Sequence, residues 1–252
     1  MVAGNEAHRI RRSLESVADW AGEIVVVTDE NVTDATEEIA ASYGAKVIRE
    51  PWQGISGHRN LASAKATQPW LLALDADEVI SPALRDEIAQ TLTATDAQAK
   101  ADYAAYGFPR CTLYFGRWIR HGDWYPDRIV RLWRKGQGEW SGMLHEKLLV
   151  QGRVGWLRGE VLHYSMESLE HQVKKTLNYA EIFAQAQTKK GRTVTSLDLL
   201  VHPFWRFCRG YLFRLGFLDG WQGFTLSWMA AFYTFLRYAR VREMQLQKSA
   251  PQ

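Results

Sequence analysis

At 252 residues, with 46% hydrophobic and 23% charged residues, the chain can bury a sizeable core, which excludes a disordered protein. Its 31 basic and 28 acidic residues nearly balance, at +3. Two distant cysteines, Cys111 and Cys208, lack the paired spacing of a zinc site or redox motif and read as two thiols of a reducing cytosol.

In chain order, Asn5 to Trp20 reads as a helix with Asn5 as N-cap and Ile10, Leu14 and Val17 on one face. Glu23 to Thr28 is a continuous β-branched run, suited to a strand buried on both faces of a parallel sheet. A helix over Asp34–Tyr43 ends at Gly44, and Ala45–Arg49 is a second strand. A helix over Ser56–Ala66, a third strand over Trp70–Leu74 and a helix over Pro82–Leu92 follow. Such alternation implies βαβ crossovers and a parallel sheet. Beyond Thr93 the pattern changes. A polar connector leads into aromatic, strand-like pieces over Tyr103–Arg120 and Ile129–Trp133, then a long amphipathic helix over Met166–Thr188 and a helical, aromatic last fifty residues.

The most informative stretch is Leu71-Leu72-Ala73-Leu74-Asp75-Ala76-Asp77-Glu78, where an apolar strand ends abruptly in three carboxylates. Acids clustered there are costly unless something positive binds them. In open α/β sheets, ligands bind beyond the carboxyl ends of the strands. A hard divalent cation gripping a diphosphate is the economical occupant, because Mg²⁺-type ions take one or two carboxylates plus substrate phosphates. Asp29 ends the first buried strand in the same way, either as a polar turn or as an acceptor for a nucleobase or ribose. Arg59, in Gly57-His58-Arg59-Asn60, reads as a bidentate diphosphate contact or as a surface ion pair.

These segments, together with Asn5-Glu6, Tyr43-Gly44-Ala45-Lys46-Val47, Arg128 to Arg134, His145-Glu146-Lys147, Leu162-His163-Tyr164-Ser165, Gly216 to Gly220 and Tyr233 to Ala239, resemble family 2 glycosyltransferases. The likeness is closest to bacterial lipopolysaccharide core enzymes of the β-1,4-glucosyltransferase type, and it covers nearly the whole chain. The resemblance implies an α/β GT-A fold: a Rossmann-like, mostly parallel nucleotide-sugar sheet over residues 1–95, an acceptor-side region over 96–165 and a helical extension over 166–252. It also implies a UDP-sugar donor, Mg²⁺ or Mn²⁺, and a glycolipid acceptor. Glu6 and Asp29 would hold the nucleotide, Arg59 the diphosphate, Asp75 the ribose and Asp77 the metal, with His163 near the diphosphate or in the metal shell. An inverting transfer needs a base for the acceptor hydroxyl. Glu146 is the first candidate and Asp123 the second, with an ion pair from Glu146 to Lys147 or Arg131 as the structural alternative. Arg128, Arg131 and Arg134 alternate poorly for a core strand and read equally as acceptor contacts or as a solvated basic face. Two other functions stay open: transfer to a polyprenyl-phosphate or capsule intermediate, and a non-catalytic sugar-nucleotide-binding module.

One departure stands out. The family begins with an apolar strand leading into Asn-Glu, whereas only Met1-Val2-Ala3 precede Gly4-Asn5-Glu6 here. A misplaced start is expected, because a curtailed first strand would unpair the sheet centre and expose apolar surface. From His202 onward seven basic residues face two acids, Asp219 and Glu243, while the remainder carries 24 basic against 26 acidic. The basic part is also dense in rings: Phe204-Trp205-Arg206-Phe207-Cys208-Arg209-Gly210-Tyr211-Leu212-Phe213-Arg214. That composition suits an anionic membrane surface, contacted through residues 202–240. With no signal peptide, the expected place is cytoplasmic, peripheral on the inner face of the bacterial inner membrane. The acidic remainder argues against nucleic acid as a partner.

Overall fold

The computed structural model of the chain describes residues 1–97, 103–142, 146–165 and 168–249. Contacts divide it into two units, Met1–Cys111 with Asp127–His163, and Thr112–Pro126 with the segment from Tyr164 onward.

In the first unit, the β-branched run forms a strand buried along Val25–Thr28, as its composition demands. This strand, β2 (Val25–Asp29), lies parallel to both β1 (Val2–Ala3) and β3 (Lys46–Glu50) in a three-stranded sheet of order β1-β2-β3. Helix α1 is shorter than its amphipathic pattern, Ile10–Glu15, yet Ile10, Leu14 and Val17 are all buried as expected. Asn5 does not cap it. Its Oδ1 instead accepts from the backbone N–H groups of Thr33 (2.9 Å) and Asp34 (3.3 Å), so Asn5 braces the turn after β2. Helix α2 (Thr36–Ser42) makes the crossover from β2 to β3, with Gly44 at φ +74° after it, and α3 (Gly54–Lys65) follows β3.

Trp70–Leu72 forms β4 but does not join this parallel sheet. It pairs antiparallel with β8 in a second sheet. That sheet contains β5 (Glu78–Ile80), β6 (Ala105–Tyr114), β8 (Asp127–Arg134) and β12 (Val161–His163), in the order β4-β8-β6-β12-β5, with β11 (Val154–Trp156) parallel to β6. Helix α4 (Pro82–Ala97) starts where Ser-Pro predicts, and Ser81 Oγ accepts from the N–H of Leu84 at 3.2 Å. A separate ribbon pairs β9 (Gly138–Ser141) with β10 (Lys147–Val150). The main core gathers Val17, Leu74, Leu84, Ile88, Phe108 and Leu132.

Among the described residues the two sheets are not bonded to each other. A cavity of about 590 Å³ is lined by Met1 and Val2 of one edge and by Trp70–Leu72 of the other, with Val17, Ile24 and Leu92.

In the second unit, β7 (Arg117–Trp118) returns along the end of β6 through a two-residue turn, Phe115-Gly116. Both turn residues have positive φ, which is unusual for a bulky side chain. The Phe115 ring is held 5.7 Å from Trp221 in a stack. Helices α5 (Leu169–Lys189), α6 (Ser196–Cys208) and α7 (Gly220–Ser249) follow the pattern of the sequence, although the expected start at Met166 lies outside the described residues. A capping box at Thr195 and Asp198 opens α6, and a π-turn over Arg209–Phe213 closes it. Among the described residues no helix is long and apolar enough to cross a membrane. Cys111 and Cys208 are both free thiols, as their spacing predicted.

Candidate active site

The three carboxylates after β4 have three different environments, and the difference tells them apart chemically. Asp75 is clamped: Arg59 Nη2 on α3 donates to Oδ1 at 2.6 Å and Arg131 Nη2 on β8 to Oδ2 at 3.0 Å. Burial pushes the Asp75 carboxyl up, but Arg131 and Arg59 outweigh it and hold the group well below the usual carboxylate range. Glu78 is fully buried on β5, where Arg110 Nη1 donates to it at 3.0 Å and its other oxygen accepts from the Asp75 N–H at 3.1 Å. Asp77 is held most loosely, with His163 Nε2 at 3.4 Å and Arg9 Nη1 at 3.7 Å from the same oxygen. Burial raises its carboxyl, and the hydrogen bond and charge of His163, then Arg9, bring it below the ordinary range. Glu6 joins the group through Arg9, whose Nη2 donates to Glu6 Oε1 at 2.9 Å.

Arg131 reaches Asp75 because of a fault in the ladder. The β6–β8 register pairs Tyr106 with Leu132 and Gly107 with Val130, so Arg131 is the extra residue of a bulge. A bulge re-aims the side chain at its centre. Arg131 is therefore buried, while Arg128 and Arg134 lie over the rings of Trp156 and Trp70. The solvated face expected of Arg131 does not hold, because the side chain is buried against Asp75. Trp140 is near both clamping guanidiniums, 4.5 Å from Arg59 and 5.2 Å from Arg131. Arg131 Nη1 is buried with no hydrogen-bond partner among the described residues, a donor left for an incoming anion.

The sequence-derived residues divide accordingly. Glu6, Arg59, Asp75, Asp77 and His163 come together, whereas Asp29 at the carboxyl end of β2 folds back on Asn31, accepting from its N–H (3.0 Å) and Nδ2 (2.8 Å). Glu146 is partly buried at the entry to β10, and His145 lies outside the described residues. Asp123 belongs to the second unit, in a 3₁₀ turn over Gly122–Trp124, where Arg206, Arg209 and Arg214 surround its carboxylate at 2.9–3.1 Å. Arg9, Arg110 and Trp140 escaped the sequence reading, and the pairing of Arg131 with Asp75 was not anticipated in it.

Among the described residues no three His, Cys, Asp or Glu side chains converge into a complete metal shell. Asp77 with His163 fits a partial one, completed by substrate phosphate oxygens. Asp75 does not fit as a second direct ligand, because two guanidiniums occupy both of its oxygens.

The model of glycosyl transferase family 2 matches residues 1–143. The chain belongs to this family. Membership supplies the fold class, a GT-A type α/β domain followed by a helical C-terminal region, and the activity, a glycosyltransferase; family 2 enzymes generally use a divalent metal. The chain is 31% identical to an uncharacterized glycosyltransferase of Rickettsia typhi, across 98% of this chain and 86% of the relative. It is 30% identical to the lipopolysaccharide core biosynthesis glycosyltransferase LpsC of Rhizobium meliloti, across 98% and 92%. Among solved structures it is similar to S. aureus TarS in complex with UDP-GlcNAc, at 15% identity and a TM-score of 0.48, covering 98% of this chain and 90% of that one.

Proposed function

We propose that this family 2 enzyme is an inverting, metal-dependent hexosyltransferase that moves a sugar, glucose by the resemblance of its sequence, from UDP to a lipid-linked glycan of the lipopolysaccharide core. The observation that carries the reading is the division of labour among the acids after β4. One carboxylate is clamped by Arg59 and Arg131 for the ribose side, and one is left loosely held beside His163. Arg59, Asp75 and the unpartnered Arg131 Nη1 face donor chemistry of alternating charge, hydroxyl then diphosphate. Asp77 and His163 would hold Mg²⁺ or Mn²⁺, which when bound would supply positive charge where the leaving diphosphate gathers negative charge. Glu6 orients Arg9 toward the same oxygen, and Asp29 serves the nucleoside.

In the transfer, the bond from the anomeric carbon to the diphosphate oxygen breaks and the acceptor oxygen bonds to that carbon from the opposite face. Glu146 takes the acceptor's proton. Asp123 is not retained as base, since three arginines already surround its carboxylate. A lipid-linked acceptor places the work at a membrane, on the inner face of the bacterial inner membrane, and the basic aromatic segment from His202 onward supports that placement.

The test is thermal stability with UDP, GDP and CMP, each with and without Mn²⁺. UDP with Mn²⁺ is expected to raise Tm alone, since a ligand at a hundred times its Kd stabilises by about 2.7 kcal/mol. A shift with GDP or CMP, or none at all, overturns the donor assignment. Glu146→Gln is expected to lower kcat by about 10²–10⁴-fold with donor KM unchanged. Full activity in that variant moves the base elsewhere.

A further inference from the structure

The rings and arginines of α6, the π-turn and α7 are arranged so that each kind of side chain is left with an unmet need. Phe207 and Tyr211 knit the two helices together, with Phe207 5.8 Å from Phe224 and 6.2 Å from Trp228, and Tyr211 5.6 Å from Phe224. Around that seam the outer rings stay in solvent: Phe204 is 71% exposed, Phe213 68%, Trp221 60% and Trp228 59%. A contiguous apolar surface of this kind marks a contact for something apolar. Interleaved with the rings, Arg206, Arg209 and Arg214 converge on the single buried carboxylate of Asp123. One negative charge answers three, so the cluster keeps a net charge of about +2 while each guanidinium remains a third or more exposed.

The backbone is shaped to make this cluster. Arg206 and Arg209 are one turn apart, and the π-turn over Arg209–Phe213 brings Arg214 back to the same carboxylate. Gly210 is buried against it, with a Cβ there meeting Ser227 Oγ at 3.3 Å and Asp123 Oδ2 at 3.4 Å. Leu215, immediately after, is held at φ +59°, a costly conformation for a leucine.

From this juxtaposition we infer that the surface is a bilayer-interface site in which the arginine bowl around Asp123 takes the phosphate of an anionic phospholipid headgroup and the flanking Trp and Phe rings enter the acyl boundary. The inference rests on the membrane placement proposed above and names what in the membrane is recognised. A neutral bilayer satisfies the rings but not the excess charge. A second copy of the chain brings the same cations face to face and is disfavoured for that reason. Nucleic acid satisfies the charge but leaves the aliphatic Leu200, Leu212 and Leu215, all exposed, in water. Guanidinium groups suit phosphate because they present paired donors.

The experiment is co-sedimentation of the full chain with phosphatidylcholine vesicles and with vesicles containing 30% phosphatidylglycerol, without donor or acceptor, across a salt titration. Binding to the anionic vesicles that weakens with salt is expected, together with weak binding to neutral ones. Arg209→Gln is expected to lower the partition coefficient on anionic vesicles about fivefold, the contribution of one surface cation, and to leave neutral vesicles unchanged. Trp205→Ser with Phe213→Ser is expected to lower both, and both substitutions are at exposed rings where folding is unaffected. Equal, salt-insensitive binding to the two vesicle types overturns the headgroup site while keeping the membrane placement. Absence of binding to either overturns both. Salt-sensitive binding to a random single-stranded oligonucleotide in preference to vesicles replaces lipid by nucleic acid as the partner. Turnover on a soluble acceptor reports separately on the transferase assignment.

Discussion

Replacing Asp77 by Asn should abolish sugar transfer while leaving the fold intact. The expected loss in kcat/KM is on the order of 10³-fold, the several kcal/mol that a Lewis-acid site contributes at a developing charge. The fold should survive because the contacts of Asp77 are long, 3.4 Å to His163 and 3.7 Å to Arg9, and ion pairs of that kind contribute roughly 0–1 kcal/mol. The comparison that isolates the effect is Mn²⁺-dependent UDP affinity by calorimetry. It should vanish in Asp77→Asn and persist in Asp86→Asn, an exposed acid on α4 paired with its neighbour Arg85. Undiminished Mn²⁺-dependent affinity in Asp77→Asn sinks the assignment and leaves Glu78 no better placed, since Arg110 already neutralises it.

What the sequence made legible was everything of short range. The continuous β-branched run at Val25–Thr28, the Ser-Pro opening of the helix at Pro82 and the glycine at position 44 each specify their local structure through neighbours a few residues away. The acids of the site were legible for a related reason. A charge at the end of an apolar strand is anomalous on its own, whatever it later meets. Their partners were not. Arg131 becomes part of the site through a register slip between β6 and β8, and register depends on pairing across more than twenty residues of chain. Arg110 meets Glu78 across 32 residues, and Asn5 leaves its expected helix cap for a turn 28 residues away. The third strand formed, but its place in the sheet was hidden for the same cause. Trp70–Leu72 is apolar enough for either sheet, and only the antiparallel partner at Leu132–Arg134 decides which one it joins. The membrane-like surface was visible as composition, but the convergence of three arginines on Asp123 depends on a π-turn that no periodicity announces.

The clamp on Asp75 carries a second large expected effect, this time on stability and with a pH signature. In Arg131→Gln one of two guanidiniums is removed from a partly buried carboxylate, and a stability loss of about 2–3 kcal/mol at neutral pH follows from breaking such a pair. The carboxyl of Asp75 is held well below its unfolded value of about 4. The native state therefore binds fewer protons than the unfolded one in that window, and stability rises with pH through it. The contribution is complete above roughly pH 5 and is lost as pH falls toward the depressed value. Without Arg131 the carboxyl climbs back toward its ordinary range, so its contribution shrinks and is fully lost at a higher pH. Urea unfolding of the two proteins at pH 7, 3.5 and 2 should show a stability difference that is nearly unchanged down to pH 3.5 and narrows only in stronger acid, where the native carboxyl itself takes up a proton. Donor affinity should fall as well, because the unpartnered Nη1 of Arg131 leaves with the side chain. A stability difference that stays constant from pH 7 down to pH 2 would mean that Arg131 contributes packing against Trp140 rather than charge, and Asp75 would then be a carboxylate held by Arg59 alone.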